Sequence, residues 1–192
     1  MAQHGCKVTA TDLEPDAQTA AGWSQTNQHS AQLSDLNERG ICDADTFEAQ
    51  VGFVPVNINA IPDSLTGFDF CWSACCFEHL GSLEAGLEFY RNSLKTLKPG
   101  GVAIHTTELN LSSNDDTLDH DSTVLYREQD LRGLIGGLEA EGHYCEPLLI
   151  HHGSQPIDGF IDMPPYLSDP HLRLAIGKYV TTSVGIITRK AP

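Results

Sequence analysis

Basic residues are scarce in this 192-residue chain: 11 lysines and arginines stand against 26 aspartates and glutamates, a formal net charge of −15. A surface of that sign repels phosphate backbones and anionic headgroups, so neither nucleic acid nor membrane is expected as a partner. Long apolar runs are lacking too. Hydrophobic residues make up 40% of the chain, yet no stretch reaches the roughly 20 residues that a membrane-spanning helix needs. No apolar segment of signal-peptide type follows Met1, and the expected location is cytoplasmic. Cysteine is confined to Cys6, Cys42, Cys71, Cys75, Cys76 and Cys145. Six are too few to staple a chain of this length, and most read as small buried apolar side chains. Internal repeats and low-complexity tracts are absent. The length suits one domain, residues 1–192, with a full core.

What is present is an alternation of β-rich and helical stretches. "CKVTATD" (Cys6–Asp12) reads as a short strand ending in an acid. A short helix is expected over Asp16–Trp23, and Leu33 with Leu36 suggests a helix ending at Gly40. "VGFVPVN" (Val51–Asn57) and "FDFCW" (Phe68–Trp72) are further strands, Pro55 arguing against a regular central position for the first. The best helical pattern joins Leu83, Leu87, Tyr90, Leu94 and Leu97 on one face. Ser82 suits its cap, Glu84 its positive end and Lys95 and Lys98 its negative end, with Pro99-Gly100-Gly101 as its stop. "VAIHTTE" (Val102–Glu108) follows as a strand, completing a βαβ unit of a parallel sheet. A polar loop (Leu109–Ser122) leads to a helix marked by Leu131, Leu134, Ile135 and Leu138. A strand is expected over Gly142–Ile150, a long excursion over 151–178, and a last β-branched strand over Tyr179–Arg189. The pattern predicts an α/β sandwich whose ligands lie beyond the carboxyl ends of its strands.

Four stretches in this order resemble the class I S-adenosylmethionine-dependent methyltransferases, particularly their small-molecule branch. "VTATDLEP" is similar to the family's second strand, and "VNINAIPDSLTGFDFCWSACCFEHLGS" to its third strand end and fourth strand. "FYRNSLKTLKPGGVAIHTTE" is similar to the helix and fifth strand, and "YREQDLRGLIGGLEAEGHY" to the helix before the sixth. The resemblance implies a Rossmann-like methyltransferase sandwich, mostly parallel with a late antiparallel strand, and S-adenosylmethionine as cofactor. It implies that Asp12 holds the cofactor ribose, a carboxylate being suited to accept from a cis-diol. A turn acid is the plain alternative. By the same resemblance Leu13 lies beside the adenine, Asn57 and Ile58 read its amino edge, and Ser73 and Ala74 face the methionine portion. The family's first strand and glycine-rich loop precede its acid-ending strand, whereas here only "MAQHG" precedes Cys6. The expectation is therefore an N-terminally incomplete sheet with an uncovered apolar face, for a partner or a second copy to cover.

Methyl transfer needs alignment of donor and acceptor and a group that takes or tolerates the leaving proton. Glu78 and His79 follow the fourth strand of the family order and are expected to face the acceptor. His79 is the better base because histidine titrates near neutrality; an ordinary helix-start pair is the alternative. His105 is a second choice, more simply read as a core or strand-end histidine. Zinc on Cys71, Cys75, Cys76 and His79 is disfavoured because no second compact cysteine pair exists, so no metal is expected. Cys71-x₃-Cys75 does not have the C-x₂-C spacing of a thioredoxin-like site. A nicotinamide-binding protein would carry G-x-G-x-x-G about 20 residues before its strand-end acid, which this sequence does not. Two functional classes stay open: transfer of a methyl group to the oxygen or nitrogen of a small acceptor, and a non-catalytic methyltransferase-like binding or assembly domain.

Overall fold

The computed structural model describes residues 1–14, 28–166 and 171–192. The helix expected over Asp16–Trp23 lies outside the described residues. The chain forms two compact units, Met1–Pro62 and Asp63–Pro192.

The first unit contains a parallel pair of strands, β1 (Val8–Asp12) and β2 (Val51–Pro55), in register from Val8 opposite Val51 to Asp12 opposite Pro55. Both strands alternate half-buried and exposed residues. Pro55, which cannot donate to a ladder, sits at the very end of the pairing, and the next amide, Val56 N–H, donates to Asp12 O at 2.7 Å. The helix expected to end at Gly40 is only a 3₁₀ turn, Leu33–Asn37. Two leucines cannot hold it to a core, and Leu36 is exposed. Asn37 instead closes a turn, its amide donating to Cys42 O and its carbonyl accepting from Cys42 N–H. A helix that the apolar pattern does not announce, α1 (Ala44–Gln50), starts where Asp43 accepts from Thr46 N–H at 2.9 Å.

The second unit carries a five-stranded sheet. Its strands are β3 (Phe68–Ser73), β4 (Leu97–Asn110), β5 (Tyr144–Cys145), β6 (Leu174–Ile176) and β7 (Tyr179–Arg189). The order is β3-β4-β7-β5, with β6 also paired to β7. β3 and β4 are parallel, and the late strand β7 runs antiparallel to β4, β5 and β6. Helix α2 (Leu83–Lys95) joins β3 to β4, its Ser82 cap accepting from Ala85 N–H. Its buried stripe is Gly86, Phe89, Tyr90, Ser93 and Leu94. Leu83 and Leu87 lie to one side, only half-buried, and Leu97 already belongs to β4. The helix ends before Pro99-Gly100-Gly101, where the Thr96 hydroxyl donates to Ser93 O. The three residues form an irregularity within β4 instead: the register jumps from Phe68 opposite Leu97 to Phe70 opposite Val102, and Gly100 takes φ 75°.

Helix α3 (Glu128–Ala140) buries Leu131, Leu134 and Leu138, and Asp130 holds its start by accepting from Arg127 N–H. The strand expected over Gly142–Ile150 shortens to Tyr144–Cys145. Glu146 N–H still donates to Ile187 O, and Pro147 then removes the next donor. The excursion at 151–178 contains a 3₁₀ turn, Pro156–Gly159, and β6.

One face of the sheet is covered. Tyr90 of α2 bonds Thr188 of β7 at 2.9 Å, and Ser93 bonds His105 of β4 at 3.0 Å. Phe77, fully buried, packs its ring against Phe89, Tyr90, His105 and Tyr126. On the opposite face Phe70 and Trp72 of β3 are 59% and 60% exposed, beside the exposed Ile104 and Ile187.

Candidate functional site

Strand ends position the candidate residues of each unit. In the first unit, Asp12 closes β1, where the parallel pair leaves its carboxylate beyond the last rung. One oxygen accepts from Leu13 N–H at 2.8 Å and the other from Ser30 N–H at 2.9 Å. His29 Nε2 lies 3.9 Å from the carboxylate and within hydrogen-bond distance of Leu13 O. Leu13 is half-buried. Asn57 caps the 3₁₀ turn Ile58–Ala60 by accepting from Asn59 N–H, so its carbonyl has a local role and its side chain is exposed. Ile58 is half-buried behind it.

In the second unit, Ser73 is the last residue of β3, opposite His105 of β4. Its hydroxyl is 2.8 Å from His105 Nδ1, while Ser93 Oγ is 3.0 Å from Nε2 and itself donates to Tyr90 O. Ser93 gives its proton to that carbonyl, so Nε2–H donates to Ser93 and Nδ1 accepts from Ser73. Burial holds His105 down at about 4, neutral at ordinary pH. His105 is thus a core residue in the middle of its strand, not a base at a strand end. Ala74 is exposed.

The next residue, Cys75, takes a left-handed φ of 45°, a conformation that costs a non-glycine residue energy and must be held by its surroundings. Its N–H donates to Thr106 O and lies 2.9 Å from Thr106 Oγ1. The thiol is turned toward Ser183 Oγ at 3.3 Å and Glu108 Oε1 at 3.8 Å. Burial, joined by the negative fields of Glu78 and Glu108, pushes that thiol above its ordinary value.

The 3₁₀ turn Phe77–His79 sends its side chains in different directions. Phe77 fills the core. Glu78, expected to face an acceptor, is turned inward and fully buried, because the same turn that buries Phe77 carries the next side chain under β4. Its Oε2 accepts from Thr107 Oγ1 at 3.0 Å, whereas its Oε1 is buried without a hydrogen-bond partner. Burial pushes the Glu78 carboxyl up to about 7. His79 is half-buried, its Nδ1 2.9 Å from Ser122 O. Burial lowers its pKa, and the carboxylate of Glu108 works against that.

Glu108 is the residue that sequence reasoning misses. It accepts from the hydroxyls of Thr181 and Ser183 and is 8% exposed. A signal exists: an acid closes "VAIHTTE" near the carboxyl end of the strand beside β3. Its partners on β7 are 73 and 75 residues away in sequence, and no local pattern announces them. The four-residue zinc set weighed from sequence is not assembled. Cys71 Sγ lies against Ser93 O and His105 on the helix-covered face, whereas Cys75 turns to Ser183 and Glu108. A groove of this unit runs between α2 and α3, lined by charges of both signs such as Glu84, Arg91, Arg127 and Lys190.

No family model and no curated protein matches the sequence. Solved structures do match. The 1,6-didemethyltoxoflavin-N1-methyltransferase of Burkholderia thailandensis, solved with 1,6-didemethyltoxoflavin and S-adenosylhomocysteine, is 14% identical with a TM-score of 0.50, covering 100% of this chain and 74% of its own. A Galdieria sulphuraria protein described as a sarcosine dimethylglycine methyltransferase is 13% identical with a TM-score of 0.50, covering 97% of this chain and 79% of its own. An O-methyltransferase family protein of Burkholderia thailandensis is 14% identical with a TM-score of 0.46 over 99% of this chain, which spans only 52% of that protein's length. At these identities the likeness concerns architecture: this chain has the fold of the class I S-adenosylmethionine-dependent methyltransferases.

Proposed function

We propose that this chain binds S-adenosylmethionine and transfers its methyl group to an oxygen or nitrogen of a small-molecule acceptor. The observation that carries the reading is Asp12, an acid at the carboxyl end of a parallel strand in a methyltransferase fold. Each of its oxygens accepts one backbone N–H. A carboxylate offers about four lone-pair positions, so about two remain for a pair of ribose hydroxyls, and the residue fits the group. Leu13 supplies an apolar neighbour for the adenine, with Asn57 and Ile58 at the end of β2 as its edge. Ser73 and Ala74, where β3 ends, are assigned to the methionine portion.

When bound, S-adenosylmethionine supplies a sulfonium methyl open to in-line attack by an acceptor lone pair. The chain's own part is to orient the acceptor and take its proton. His79 suits proton removal, because burial keeps it neutral and donation of Nδ1–H to Ser122 O puts the basic lone pair on Nε2. The Glu108 carboxylate favours the imidazolium that results. Glu78 is the second candidate for holding a proton, acting from inside the fold and not by contact with acceptor.

Calorimetric titration of the full chain with S-adenosylmethionine and S-adenosylhomocysteine tests the reading. Binding of both is expected, weakened about tenfold or more in Asp12→Ala, which removes the charge-assisted bonds. Absence of binding by protein with native circular dichroism overturns it. The exposed apolar face at Phe70, Trp72, Ile104 and Ile187 would then favour the second reading, a non-catalytic domain serving binding or assembly.

A further inference from the structure

We propose that Cys75, Glu78 and Glu108 form a site for one borderline divalent cation of the zinc type. One ligand atom from each residue lies within 4.8 Å of the other two. A tetrahedral zinc ion with one sulfur and two oxygen ligands sets them about 3.5 Å apart, and Cys75 Sγ is already 3.8 Å from Glu108 Oε1. The closure needed is about an ångström.

The independent observation is Glu78 Oε1, an atom of a fully buried side chain with no hydrogen-bond partner. Ionised or protonated, its neighbours in the cluster are the weakly donating Cys75 thiol and the like-charged Glu108 carboxylate. A buried polar atom in either state is costly. A cation satisfies it. Charge points the same way: two carboxylates and a thiol crowd together, and among the described residues no lysine or arginine is ion-paired with either glutamate.

The donor set selects the ion. A thiolate disfavours magnesium and calcium, and two carboxylates disfavour copper(I); zinc, cobalt(II) and iron(II) accept both ligand types. The carboxylates are held by hydroxyl donors, Thr107 to Glu78 and Thr181 with Ser183 to Glu108, as outer partners of metal ligands are. Three protein ligands leave a tetrahedral ion one position for water or an acceptor atom, and the half-buried Cys75 beside the exposed Ser183 gives access. On binding, the Cys75 S–H proton and any proton on Glu78 pass to solvent as the metal bonds form. Proton removal from an acceptor then falls to His79 alone.

The site is read by metal spectroscopy and so stands or falls apart from methyl transfer. Chelator-treated, fully reduced full-length protein is titrated with cobalt(II) and then competed with zinc. The expected result is one cobalt per chain with a thiolate-to-cobalt charge-transfer band, bleached by one equivalent of zinc. Cys75→Ser abolishes the band, Cys42→Ser keeps it, and Glu78→Gln and Glu108→Gln each weaken zinc binding about tenfold or more. A folded wild-type protein without that band overturns the proposal before any variant is made, as does a band that survives Cys75→Ser.

Discussion

His105 shows how one buried side chain makes stability depend on pH. It is 2% exposed, lies between two serine hydroxyls and is held at about 4 by burial. The unfolded chain protonates the same imidazole near 6.5. Below that value the unfolded state takes up the proton first, so stability is full at neutral pH. It falls as pH drops from about 6.5 to about 4, then no longer depends on this group. The shift is worth about 3 kcal/mol at most. Denaturant titrations at pH 7 and pH 4.5 should show that loss over and above other titrations. His105→Leu should remove this part of the slope while lowering stability at pH 7 by about 1–3 kcal/mol, since Ser73 and Ser93 lose their partner.

At the level of elements, α2 is seated by a missing side chain. A Cβ on Gly86 would run into the carbonyl of Phe77 and the hydroxyl of Tyr126, one of them backbone and unable to swing away. Gly86→Ala should therefore destabilise the second unit by about 2–3 kcal/mol. In α3, Gly136 faces open space, and Gly136→Ala should instead add up to about 1 kcal/mol through helix propensity. Thermal melts of the two variants would sink this account if the changes had the same sign. The contrast also explains why the leucine pattern of α2 lies slightly out of phase with its buried side. Leucines draw the stripe through Leu83 and Leu87, whereas the buried side includes Gly86 and Ser93, whose places are set by Tyr126, Phe77 and His105.

Across the whole molecule the core is unevenly shared. Among the described residues, the buried hydrophobic side chains of Met1–Pro62 are Ala2 and Val56, and the others belong to Asp63–Pro192. Burial sets the free energy of local opening. Amides of β1 and β2 should therefore exchange with deuterium at least about a hundredfold faster than those in the middle of β4 and β7. Equal protection in the two units would contradict this distribution. Ligand that binds through Asp12 should slow exchange in β1 first, because binding to the folded form stabilises it by mass action.

The sequence by itself determined the alternation of strands and helices, the Ser82 cap, the bounds of the last strand and the carboxyl-end position of Asp12. Each depends on neighbours within a few residues and on periodicity, which a linear chain displays. Tertiary structure alone decided the rest. It turned Glu78 inward, made His105 a core residue, converted the Pro99-Gly100-Gly101 stop into an irregularity of β4, and cut the Gly142–Ile150 strand to two residues. It also gathered Cys75, Glu78 and Glu108 from two segments 29 residues apart at Glu78 and Thr107, near Ser183 of a third. Burial and long-range hydrogen bonds fix these outcomes, and neither is written in the spacing of residues along the chain. The cysteine-rich stretch Gly67–Ser82 therefore supplies one thiol, Cys75, and one acid, Glu78, to the proposed site, and the second acid, Glu108, comes from the neighbouring strand.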